Sequence, residues 1–93
     1  MRFGLRRNLL ADIDLSILGA TAERFDEYEV QVRQEYAWVP GPLFRRKRGA
    51  ILQAFLARPS LYSTPWLRGR FEAQARSNLQ RSVARLRKWW WSI

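Results

Sequence analysis

The chain of 93 residues contains no cysteine and no histidine. The absence of cysteine excludes disulfides and thiol chemistry, and the absence of histidine removes the commonest general base and the commonest metal ligand. Only carboxylates remain as side-chain ligands for hard cations such as Mg²⁺, Mn²⁺ or Ca²⁺. A glycine-rich phosphate-binding loop and a nucleophile elbow are absent as well.

Long apolar runs are also missing from the sequence. No run approaches the roughly 20 residues that a membrane-spanning helix needs. Arginines near the N-terminus are characteristic of some targeting segments, but the acidic residues Asp12 and Asp14 follow too closely for an apolar leader to fit between. We therefore expect a cytoplasmic protein without a transmembrane segment.

Acidic residues are scarce in the second part of the chain. The net charge is +9, but residues 1–40 hold five arginines and seven acids, whereas residues 41–93 hold twelve Arg or Lys and one acid, Glu72. A charge of this sign and density favours polyanionic partners, namely nucleic acid, anionic lipid or an acidic protein. Solvated helix faces are the alternative explanation for many of these arginines.

The chain has enough apolar residues, 47%, to pack a core, and its length allows one small domain. Apolar residues recur at three- and four-residue steps, and no period-two run is present, so the sequence predicts an all-α fold. We expect a lead-in over residues 1–9, a helical domain over residues 10–88 and a Trp-rich tail over residues 89–93. The domain is predicted to be a small bundle of three main helices after a short leading helix at residues 10–18.

Turn and capping signals divide the bundle. Thr21 is a plausible N-cap for the second helix, Pro42 suits the first turn of the third, and Thr64 followed by Pro65 begins the fourth. The third helix is expected to run to about Arg58, just before a proline. Apolar stripes are predicted on all three main helices: Phe25, Tyr28, Val32 and Tyr36; Phe44, Ile51, Leu52, Phe55 and Leu56; and Leu67, Phe71, Ala75, Leu79, Val83 and Leu86.

Asp12 and Asp14 are the candidate metal ligands. Each could bind a cation, but acids are also common near the positive end of a helix dipole. Two carboxylates alone are too few for a dedicated metal site, and residues two apart on a helix face in different directions. The residues by themselves leave both interpretations open.

Four consecutive cations near the start of the third helix, Arg45, Arg46, Lys47 and Arg48, are the candidate phosphate- or polyanion-binding residues. Positive charge is unfavourable at that end of a helix. A phosphate ligand would explain the placement, and chance in an arginine-rich chain is the alternative. The basic face of the fourth helix, residues 68–88, would extend the same surface, and the Trp-rich tail could meet a membrane interface, a partner or another copy.

Four segments in order resemble one protein family. They are Asp-x-Asp-Leu-x-Ile-Leu-Gly at 12–19, Glu-Tyr-Ala-Trp-Val-Pro at 35–40, Ile-Leu-x-x-Phe-Leu-x-Arg-Pro-x-x-Tyr at 51–62 and Phe-Glu-x-x-Ala-Arg-x-Asn-Leu at 71–79. The chain resembles, over roughly residues 10–82, the C-terminal part of the predicted metal-dependent HD-superfamily phosphohydrolases. Some members of that family carry a misleading name as NMDA-receptor subunits.

The resemblance implies a divalent-metal site that this chain cannot complete. Members of the family bind metal through an upstream His, a His-Asp pair and a final Asp, which would be Asp12 or, by a slight preference, Asp14. The histidine ligands have no counterpart here. The resemblance therefore implies a fragment of a larger HD-type helical domain, truncated or degenerate, that binds no metal tightly and is inactive alone unless a separate chain supplies the missing half.

The same resemblance implies a role for three further residues. Arg33, Tyr36 and Arg48 would line the outer wall of the family's pocket, unless Tyr36 packs in the core and the arginines pair with acids. Helices that lack their packing partners would leave apolar surface exposed around the leading helix, so self-association is expected.

The alternative function is a basic helical module that binds nucleic acid or an anionic membrane surface.

Overall fold

A computed structural model describes residues 15–92, with side chains for residues 15–88, and every regular element in that part of the chain is a helix. The elements are α1 (Leu15–Leu18), α2 (Ala22–Glu35), α3 (Gly41–Leu56) and α4 (Pro65–Ser92). The predicted all-α bundle of three main helices after a short leading helix is confirmed. The predicted lead-in, Asp12, Asp14 and the first part of the leading helix lie outside the described residues.

The helix starts follow the predicted signals. The Thr21 hydroxyl accepts the Arg24 N–H at 3.2 Å, and the Thr64 hydroxyl accepts the Leu67 N–H at 3.3 Å. The end of α3 at Leu56 is two residues earlier than expected. No glycine or proline occurs between residues 70 and 92, and α4 continues into the Trp-rich segment as far as Ser92.

Helix α4 contacts each of the other three helices. All six residues of its predicted apolar stripe are buried or half-buried, and Ala75 and Leu79 are completely buried. The main core also contains Leu18, Phe25, Leu52, Leu61, Tyr62 and Val83. A smaller cluster of Val32, Val39 and Phe44, with Tyr28, Tyr36 and Leu43 against it, joins the end of α2 to the start of α3.

The segment around α1 is fixed to α4 by hydrogen bonds as well as by packing. The buried Asn78 amide donates to the carbonyls of Leu18 and Ala20, both at 2.8 Å. The Tyr62 hydroxyl donates to the Leu15 carbonyl at 2.8 Å. These bonds satisfy carbonyls within and just after a helix only four residues long, which could not hold its conformation by itself.

Gly19 gives a direct test of this packing. A Cβ at Gly19 would lie 2.7 Å from the Tyr62 hydroxyl and 2.9 Å from the Phe71 Cβ, so the two segments would have to separate. We expect Gly19→Ala to lower the free energy of unfolding by about 1–3 kcal/mol, measured by urea denaturation.

Gly49 and Gly69 are matched controls, because both lie inside helices with no heavy atom within 4 Å of an added Cβ. Alanine at either position should raise stability by about 0.5–1 kcal/mol. A Gly19→Ala variant as stable as these controls would contradict the close approach.

Candidate functional site

Residues from three of the four motif segments, 12–19, 51–62 and 71–79, meet at one junction. Gly19 packs on Tyr62 and Phe71, and Asn78 and Tyr62 hold the backbone of residues 15–20. The position of the segment that follows Asp14 is thus set by side chains from α4 and from the connection between α3 and α4. Gly19, Tyr62, Phe71 and Asn78 therefore have a structural role in the contacts of this fold.

A second part of that junction is a clamp formed by Glu72 and Arg76. The Glu72 carboxylate accepts the N–H groups of Leu61 and Tyr62 and a bond from the Arg76 Nε at 3.0 Å. Arg76 also donates to the carbonyls of Leu56 and Arg58, at 3.0 and 2.8 Å. Glu72 and Arg76 thus form an ion pair, at 2.9 Å, and the two residues also satisfy backbone groups where α3 ends and the chain turns.

The sequence reasoning missed the bonds from Glu72 to the backbone. The sequence does contain one indication of this role: Glu72 is the one acid in residues 41–93, a stretch with twelve cations. An isolated acid in such surroundings is expected to have specific partners.

The described residues do not provide a metal site. They contain no group of three or more His, Cys, Asp or Glu side chains placed to hold a metal ion. Since the whole sequence lacks histidine, the ligands present do not fit the metal set that the family resemblance implies. No chemical step can be derived through such a metal for this chain alone.

Two candidate phosphate ligands, Arg48 and Arg33, have internal partners. Arg48 is completely buried, and its Nε and Nη2 donate to the two carboxylate oxygens of Glu29. Arg33 donates to the carbonyls of Tyr36 and Val39, at 3.0 and 3.2 Å, and its guanidinium lies 4.7 Å from the centre of the Phe44 ring. Arg48 therefore joins α2 to α3 and is not exposed to an external phosphate, while Arg33 binds carbonyls just beyond the end of α2.

Most cations of α4 also bind other parts of the fold. The arginines of α4 with such contacts are Arg68, Arg76, Arg81 and Arg85, whereas Arg70 lies over the rings of Trp66 and Phe71 on α4 itself. Arg81 and Arg85 share Asp26 on α2, at 2.7 and 3.5 Å. The predicted polyanion surface over residues 68–88 is therefore smaller than its charge count suggests.

Other basic residues line a groove between α3 and α4, which we call the basic groove. It encloses about 280 Å³, and its cations are Arg45, Arg46 and Arg87. Lys47 is exposed beside Arg46 on α3. None of these four residues makes an ion pair with another residue that the structure describes.

A second groove, the three-helix groove, lies between α2, α3 and α4 and encloses about 230 Å³. Its residues are Asp26, Glu29, Val30, Arg33, Phe44, Arg45, Ser82, Arg85 and Leu86. Arg45 and Leu86 therefore line both grooves.

Tyr36 packs against the smaller cluster, and two indoles are exposed on the surface. Tyr36 is half-buried beside Trp38, with ring centres 6.1 Å apart. Exposed indoles occur at Trp38 and Trp66, whereas the indoles of the tail lie outside the described side chains. None of the described helices has both the length and the apolar character required to cross a bilayer.

Comparisons with known proteins give no relative. No family model, curated protein or solved structure matches the chain. The resemblance to HD-superfamily phosphohydrolases therefore rests on the sequence motifs alone.

The carboxylates of Asp26 and Glu72 should make the fold sensitive to acid. The hydrogen bond from Arg81, helped by Arg85, lowers the pKa of Asp26 despite partial burial. For Glu72, burial acts to raise the pKa, but the bonds from Leu61, Tyr62 and Arg76 together lower it. A carboxyl group whose pKa is lower in the folded state stabilises the fold above its unfolded pKa, and this contribution is lost as pH falls through the folded pKa.

We expect the free energy of unfolding to fall as pH is lowered from about 5 to about 3. Glu72→Gln should be less stable than the wild type at pH 7, with a smaller difference at pH 3, as measured by urea denaturation at each pH. Glu27→Gln is the control, because the Glu27 pair with Arg24 is exposed and such pairs contribute little. Equal pH dependence of Glu72→Gln and wild type would contradict the assigned role of Glu72.

Proposed function

We propose that this chain is the C-terminal helical part of an HD-type phosphohydrolase, not catalytic alone, with Asp14 or Asp12 as its one contribution to a metal site. The observation in favour is the junction of the motif residues. It fixes the segment that follows Asp14 against α4 through Asn78 and Tyr62. A metal-ligand carboxylate needs such a rigid support, because ligand geometry must be held by the surrounding structure.

The missing ligands define what a partner would supply. A second polypeptide would have to carry the His and the His-Asp pair. Arg33 and Tyr36 would then help to shape the outer wall of the pocket, while Arg48 would support that wall from within through Glu29.

This proposal predicts a specific upstream nucleotide sequence. A His codon and adjacent His-Asp codons should precede the Met1 codon, in the same frame or beyond a frameshift. When that segment is joined to this chain, the product should hydrolyse a phosphomonoester such as p-nitrophenyl phosphate in the presence of Mn²⁺. Asn at the ligand position, Asp14 or Asp12, should lower the rate by about 100-fold or more, since the metal loses a charged ligand.

Glu23→Gln is the control for this experiment, because Glu23 is an exposed acid at the start of α2. An upstream sequence without these codons, or an active fusion that tolerates both Asp12→Asn and Asp14→Asn, would contradict the proposal.

The basic groove favours a second function, the binding of duplex nucleic acid. Arg45, Arg46 and Arg87 line one groove, and Lys47 lies next to it, so four cations without ionic partners in the described structure are close together. Clustered cations of this kind bind phosphodiester backbones through charge and counterion release. The function would be sequence-independent, because no helix-turn-helix signature accompanies the groove.

Binding to a fluorescent DNA duplex should be strongly salt-dependent. Four phosphate contacts predict that affinity falls roughly a hundredfold between 50 and 200 mM salt, as measured by fluorescence anisotropy. Arg46→Gln and Arg87→Gln should each reduce the slope of log affinity against log salt by about 1. Arg24→Gln on α2 is the control, because Arg24 is paired with Glu27 and lies on another helix.

Two outcomes would contradict DNA binding by this groove. One is no binding at 50 mM salt. The other is equal binding to anionic lipid vesicles that is lost when residues 89–93 are deleted, which would indicate the membrane alternative.

A further inference from the structure

The three-helix groove contains two acids whose charges are already balanced. Asp26 is bound by Arg81 and Arg85, and Glu29 is bound by the Nε and Nη2 of Arg48. Arg33, also in the lining, donates to two backbone carbonyls. An anion entering the groove would therefore not meet an uncompensated carboxylate.

Donors without partners remain on two other lining residues. The Nε and Nη2 of Arg45 and the hydroxyl of Ser82 are buried without a hydrogen-bond partner in the described structure. The Ser82 residue is only 3% exposed. Leaving such donors unsatisfied is unfavourable, and the cost is greatest for a charged group. Both residues line the same groove, where an oxyanion would supply the missing acceptors.

The rest of the groove lining is largely apolar. Val30, Phe44 and Leu86 contribute hydrocarbon surface, and Val30 is 55% exposed at the surface of α2. A free inorganic anion would leave this surface uncovered. Small-molecule sites commonly combine such apolar walls with a few convergent polar groups.

We propose that the three-helix groove binds a small amphipathic anion, a molecule in which a carboxylate, phosphate or sulfonate group is joined to a compact apolar body. Arg45 and Ser82 bind the anionic group, and Val30, Phe44 and Leu86 cover the apolar body. This site is separate from the metal-ligand role of Asp12 or Asp14 and does not depend on DNA binding, although Arg45 also lines the basic groove.

Calorimetric titration of the full chain with three probes tests the proposal. We expect 1-naphthyl phosphate to bind at least about tenfold more tightly than either 1-naphthol or inorganic phosphate, because only the first carries both parts. Arg45→Gln should weaken binding of 1-naphthyl phosphate roughly tenfold or more, since it removes the charge from the donor. Arg46→Gln, next along α3 and outside this groove, should change the affinity by less than about twofold.

Ser82→Ala gives a readout that distinguishes a ligand-binding hydroxyl from a structural one. It should weaken binding of 1-naphthyl phosphate and at the same time raise the melting temperature of the free protein, because it removes a buried hydroxyl that has no partner. Ser77→Ala is the matched control, since Ser77 is an exposed serine on the same helix, and it should change neither quantity.

The proposal would be overturned by several results. Equal binding of 1-naphthol would indicate a purely apolar cleft, and equal binding of inorganic phosphate would indicate a simple anion site. Unchanged affinity in folded Arg45→Gln and Ser82→Ala variants, with folding verified by circular dichroism, would place the ligand elsewhere. Absence of binding by all three probes would also contradict the proposal.

Discussion

The apolar stripe of α4 is the constraint on which the rest of the structure depends. Helices α1, α2 and α3 all pack against this one helix, and its buried residues Ala75 and Leu79 lie in the main core. Burial of each large apolar side chain contributes about 1.5–3 kcal/mol, so a row of them supplies much of the driving force for folding. Because Gly19 has no side chain, its segment approaches Tyr62 and Phe71 closely, which brings the short α1 against α4.

Arginine has a mainly structural role in much of this molecule. Arg48 joins α2 to α3, Arg76 satisfies carbonyls at the end of α3, and Arg81 ties α4 to α2. The planar guanidinium suits these positions because it can bind several oxygens in fixed directions, which a lysine ammonium does less well. High net charge thus overstates the surface that is available to a polyanion, and the accessible part is concentrated around the basic groove.

The helices and their caps could be predicted from local sequence signals, since Thr21 and Thr64 act on residues only three positions away. Pairing of Arg48 with an acid was one of two alternatives open from the sequence, but its partner could not be named, because Glu29 is nineteen residues distant and the surrounding cluster of cations suggested an exposed surface. The two grooves were equally inaccessible to sequence reasoning, since they depend on how three helices meet. Periodicity assigns a residue to a face of a helix but does not identify the element opposite it.

The clamp formed by Glu72 and Arg76 also bears on the order in which the chain folds. It links α3, the connection after it and α4, which are consecutive in sequence, so this helical hairpin can form with contacts of short sequence separation. The bonds from Asn78 to Leu18 and Ala20 span about sixty residues and carry a larger loop-closure cost. We therefore expect the hairpin to assemble early and the N-terminal segment to dock on it later.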